Sequence, residues 1–112
     1  MNNYNKAKAA YLQARDGINI KENEQIVLKC KNGWSYAFVI SIKGADIKAH
    51  ENVILELKDP EYSCYFAKYI LGANIEEHFK VVFNSRKKDW LDFFIEKINY
   101  KGTKVEEWLM YI

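Results

Sequence analysis

GADIKAHENVILELKDPEYSCYFAKYILG, residues 44–72, is a layout that the rest of the chain repeats on either side. In its second half Tyr62, Phe66 and Ile70 stand four residues apart. The same columns recur 28 residues earlier as Trp34, Phe38 and Ile42, and 28 residues later as Trp90, Phe94 and Ile98. In its first half Ile47, Val53 and Ile54 have counterparts at Ile20, Ile26 and Val27, at Ile75, Val81 and Val82, and at Val105, Tyr111 and Ile112. Gly17, Gly44, Gly72 and Gly102 mark the joins. A period of this length signals an array in which each unit leaves an apolar face that only its neighbour can cover.

Each period predicts two short helices. Trp34, Phe38 and Ile42 stand at i, i+4 and i+8; Ile47, His50, Val53, Ile54 and Leu57 stand at i, i+3, i+6, i+7 and i+10. Both are helix-face patterns, not the alternation of a strand. After the glycines come Asn19, Asp46, Asn74 and Thr103 as expected N-caps, with Glu22, Glu77 and Glu106 three residues further on as capping-box partners. Asp59-Pro60 divides the two helices of the quoted stretch, with proline at the first helical position.

This pattern resembles a group of short helical-hairpin repeats of bacterial and phage proteins, of the form G-A-[ND]-I-x-x-x-E-x-V followed by D-P-E-Y-x-x-x-F-A. The matching residues are Gly44, Ala45, Asp46, Ile47, Glu51 and Val53, then Asp59, Pro60, Glu61, Tyr62, Phe66 and Ala67, with Gly72, Ala73, Asn74 and Ile75 restarting the motif. The outer units depart from it, carrying Lys31-Asn32-Gly33 and Lys87-Lys88-Asp89 where the proline turn would stand. The resemblance implies a fold and brings no activity with it.

The expected architecture is all-α: a short α-solenoid of stacked helical hairpins in one domain, residues 1–112. About eight helices are expected, near 3–16, 20–31, 33–43, 46–58, 60–71, 74–85, 88–101 and 103–112, in units 17–43, 44–71 and 72–101 flanked by half-repeats 1–16 and 102–112. With 49% hydrophobic and 15% aromatic residues, the chain carries apolar matter for a continuous core. No run approaches a membrane span and Met1-Asn2-Asn3 does not open a signal peptide, so a cytoplasmic location is the expectation. Cys30 and Cys64 occupy non-equivalent columns and are expected as free thiols.

Several residues invite a chemical reading. His50 and His78 share one column on the apolar face, which points to buried, hydrogen-bonded histidines; the cysteines lie outside that column, so no metal or other cofactor is expected. Glu76-Glu77 and Glu106-Glu107 fall in first helical turns, where carboxylates meet the helix dipole, and no catalytic motif accompanies them. Lys29, Lys31, Lys58, Arg86, Lys87 and Lys88 cluster near inter-helix turns and form the nucleic-acid alternative, although a net charge of only +2 gives no concentrated positive field. Tyr65 and Tyr69 exceed what the core columns need. With Tyr36, Phe93 and Tyr100 they form the candidate partner-binding wall, since tyrosine offers amphipathic contact area at little entropic cost. Trp108 to Ile112 make an apolar end that either folds over the core or pairs with a second copy of the chain as a homodimer.

The functional expectation is a non-enzymatic protein–protein interaction module with another protein as partner and no membrane association. Size and resemblance point to a small adaptor or inhibitor, such as a phage or mobile-element product directed at a host defence complex. A nucleic-acid-binding repeat using the basic edge is the alternative.

Overall fold

Helix starts follow the chemistry of the turns. In the computed structural model, which describes residues 1–112, Asp59 leaves the helical region at φ −95° and ψ 115° and its carboxylate accepts the Glu61 N–H at 2.9 Å. Pro60 follows at the first helical position, where a missing N–H is no loss. Asp46 accepts from Ala49 N–H at 3.1 Å, Asn74 from Glu77 N–H at 3.2 Å, and Thr103 from Val105 N–H at 3.2 Å. Asn19 corrects the expected pattern. It sits at φ 43° and ψ 53° and makes no side-chain cap, because capping needs the extended backbone that Asn19 has given up. Its carbonyl alone serves the helix, accepting Asn23 N–H at 2.9 Å.

Eight α-helices and no strands result: α1 Asn3–Arg15, α2 Ile20–Cys30, α3 Trp34–Ser41, α4 Ile47–Leu57, α5 Pro60–Tyr69, α6 Ile75–Asn84, α7 Lys88–Lys97 and α8 Lys104–Leu109. They fall into two compact units, Met1–Leu57 and Lys58–Ile112. In the first, α1 packs on α2 and α3, α3 on α4, and α2 on α4; in the second, α5 packs on α6 and α7, α6 on α7 and α8. Within each unit, successive helices pair as hairpins and every second helix lies alongside its counterpart, an arrangement compatible with stacked hairpins.

Each unit has its own core. Ala10, Tyr11, Ala14, Val27, Phe38 and Ile42 close the first, with Trp34 packed against them. Cys64, Ala67, Phe79, Val82, Phe94 and Ile98 close the second, joined by Val105. The repeated phenylalanines Phe38, Phe66 and Phe94 are all fully buried, as their column requires.

Two columns behave differently from expectation. Ile42, Ile70 and Ile98 are buried but no longer helical: each has an extended backbone, φ −100° to −114°, and donates its N–H to the phenylalanine carbonyl four residues back. The helices expected to run to 43, 71 and 101 therefore end at Ser41, Tyr69 and Lys97. The extended residue turns its side chain inward while the chain swings towards a join glycine at φ 82–84°, a conformation L-residues resist. Ile20 and Ile47, expected on the core face, are exposed. Both are first helical residues, whose side chains lean back towards the helix start and beyond the packed turn. Tyr111 and Ile112, also assigned to core columns, are exposed because α8 ends at Leu109 before reaching them.

Candidate functional site

The histidine column is the most ordered polar feature. His50 is fully buried on α4, stacked on Phe38 at 5.0 Å between ring centroids, and its Nε2 lies 2.9 Å from Glu24 Oε2. The same carboxylate oxygen accepts the Asp46 N–H at 2.8 Å, so Glu24 of α2 ties down both the start of α4 and its first-turn histidine. A carboxylate facing Nε2 makes that nitrogen the N–H donor. In the second unit His78 repeats the ring stack on Phe66 at 5.2 Å, and its Nδ1 lies 3.0 Å from Ser63 Oγ.

Ser35 is the counterpart of Ser63 one period earlier, yet Ser35 Oγ and His50 Nδ1 are both buried without a hydrogen-bond partner. Serine, histidine and glutamate are the side chains of acyl-transfer chemistry, but Ser35, Ser63, His50 and His78 have no exposed surface, so no substrate reaches them. Their arrangement holds helices together. Burial pulls the His50 pKa below its ordinary 6.5, against the opposing hydrogen bond and charge of Glu24 and the charge of Asp46.

The paired acids act at helix ends. Glu76 Oε2 accepts the Lys104 N–H at 2.9 Å, Glu106 Oε1 accepts the Gly102 N–H at 3.2 Å, and Glu77 pairs with Lys80 at 3.3 Å. No group of three or more His, Cys, Asp or Glu side chains converges as metal ligands would. Cys30 and Cys64 are buried free thiols; burial pushes the Cys64 thiol up to about 12, and its Sγ donates to the Trp90 carbonyl at 3.5 Å.

Of the expected aromatic wall, Tyr36 belongs to the first unit and is half-buried. The other four belong to the second. Tyr65 of α5 meets Trp90 and Phe93 of α7 edge to face, at 5.7 and 6.3 Å, and Trp90 and Phe93 meet each other at 5.6 Å. Phe93 and Tyr100 pack partly onto the second core. Tyr69 does not: it is 56% exposed, and Leu71 beyond it is 94% exposed. Both line a groove of about 310 Å³ at the α5–α6 join, together with Ala73 and Ile75. Leu71 and Trp90 were not among the residues expected on this wall; Trp90 was expected as a core column residue with Trp34 and Tyr62.

The basic residues are all exposed. Lys29 and Lys31 lie in the first unit, and Lys58, Arg86, Lys87 and Lys88 in the second. Lys31, Lys58 and Arg86 share a backbone peculiarity: each follows the end of α2, α4 or α6 with φ between 52° and 59°. A cation there complements the negative end of the helix dipole. Lys88 pairs with Asp92 at 2.8 Å, and that hydrogen bond and charge raise its pKa. Arg86, Lys87 and Lys88 line a cleft of about 450 Å³ together with Phe83 and Leu91.

At the C-terminal end, Tyr111 is 83% and Ile112 64% exposed. They line a groove of about 330 Å³ with Phe79, Phe83 and Trp108. No helix is long and apolar enough to cross a membrane. No protein-family model, curated protein or solved structure matches this chain.

Proposed function

We propose that this chain is a non-enzymatic helical-repeat module that recognises another protein, using the aromatic surface of α5 and α7. The observation that carries the reading is Tyr69 with Leu71. Ile70 between them completes the core, while its two neighbours project into solvent beside a groove, an exposure that the packing of the unit does not require. Tyr65, Trp90 and Phe93 extend the aromatic surface through edge-to-face contacts that fix their rings before any partner arrives. Preordered aromatic side chains are the usual source of binding energy at protein interfaces. Recognition is favoured over catalysis because both histidines, both cysteines and the serines beside the histidine column are buried. The finer version, an adaptor or inhibitor encoded by a phage or mobile element, draws on chain length and the repeat resemblance.

The test is capture of the partner from a cell lysate on immobilised chain, identification by mass spectrometry, then titration of the purified partner. Tyr69→Ala and Leu71→Ala should each weaken binding by about 1–2 kcal/mol with no loss of helicity. Full affinity in the double variant would rule this surface out.

Nucleic-acid binding along the basic turns is the second reading, favoured by the cation that ends each of α2, α4 and α6. It requires an affinity that falls steeply with salt and is abolished by reversing Arg86, Lys87 and Lys88.

A further inference from the structure

We infer that the cleft at the α6–α7 turn takes an acidic segment of the partner protein, seating one large apolar side chain on its floor and flanking carboxylates against Arg86 and Lys87. This rests on the recognition reading and names the chemistry of what is recognised. The floor is offered by Phe83, which is 43% exposed yet held by stacking on Phe79 at 5.8 Å, with half-buried Leu91 also lining the cleft. An aromatic ring fixed in place but open to water is a seat for another apolar group. The open cleft, about 450 Å³, has room for such an anchor.

Charge selects the occupant. Ser85 Oγ donates to the Val82 carbonyl at 2.6 Å and accepts the Lys87 N–H at 3.2 Å, so the turn that presents the cations is pinned. Lys88 is already engaged by Asp92, which leaves Arg86 and Lys87 as the cations without an ion pair. Two cations above an apolar floor complement a short peptide with acids around a hydrophobic residue. A phosphate backbone fits worse, because it needs a longer positive track than two unpaired cations provide.

The test uses the full ¹⁵N-labelled chain and the blocked peptide GSDEFEDSG as probe. Amide shift changes should concentrate at residues 82–91. Binding should weaken about tenfold with the R86E/K87E double variant, with Phe83→Ser, or when the peptide phenylalanine becomes serine; circular dichroism confirms that both variants fold. Shifts elsewhere, an unaltered affinity in the folded variants, or tighter binding of oligothymidylate at the same amides would overturn the inference. The two proposals fail separately. A silent cleft with partner binding still lost in Tyr69→Ala removes only the acidic segment. A responsive cleft with Tyr69→Ala and Leu71→Ala without effect removes only the α5–α7 surface.

Discussion

The charge on His50 is settled by a contest between two neighbours of opposite effect. Its burial disfavours the imidazolium and Glu24 at 2.9 Å favours it, and burial wins. The folded state therefore binds this proton less readily than the unfolded chain. Stability from the neutral ring is complete above the unfolded pKa of 6.5 and is lost as pH falls through the lower folded value. Urea titrations from about pH 7 down to about pH 5.5 should show the wild type losing stability over that interval, with a flatter profile in His50→Gln. Ser35 and Ser63 make a second contrast between equivalent positions. Ser35→Ala removes a buried hydroxyl that satisfies nothing and should be neutral or slightly stabilising, whereas Ser63→Ala strips His78 Nδ1 of its partner and should cost about 1–3 kcal/mol. Equal losses in chemical denaturation would mean that the two serines have the same surroundings.

At the scale of the helix, the turns carry strain that substitution can measure. Lys58 follows α4 at φ 52°, where a side chain costs roughly 1–2 kcal/mol. Lys58→Gly and Lys58→Ala both remove the charge, so their difference isolates the backbone: the glycine variant should be more stable by about 1 kcal/mol. Gly72 at φ 84° gives the converse, and Gly72→Ala should destabilise by about 1 kcal/mol even though an added Cβ meets nothing. The number and order of helices were legible in the sequence because apolar columns recurring every 27–30 residues mark where each begins and which face it buries. Helix ends were not, since Ile42, Ile70 and Ile98 keep their side chains inward after the backbone has straightened, and a hydrophobicity pattern records only the side chain. The Glu24–His50 bond joins residues 26 apart on different helices and leaves no local trace. The Ser63–His78 pair was within reach, because Ser35 and Ser63 recur with the same period as the aromatic beside them. Of the proposed wall, comparison of the repeated columns picked out Tyr65, Tyr69 and Phe93 as surplus to the core. It did not register Leu71 or the Phe83 cleft, where exposure depends on how neighbouring helices end.

For the whole molecule, self-association is the first property to measure. The groove formed by Phe79, Phe83, Trp108, Tyr111 and Ile112 is the place where the expected dimer through the C-terminal helix would close. Light scattering across a concentration series should then show the mass rising towards twice that of the chain, and Tyr111→Ser should return it to the monomer value. A constant monomer mass up to high concentration excludes the dimer. Finally, each of the two units carries one internal thiol, Cys30 in Met1–Leu57 and Cys64 in Lys58–Ile112. Alkylating reagents attack thiolates, so at neutral pH a shielded sulfur reacts only during moments when its surroundings come apart. Labelling rates of the two sulfurs, followed by mass spectrometry, would thus serve as separate clocks for the halves. Matching rates would mean that the halves open as one; divergent rates would identify the half that breathes on its own.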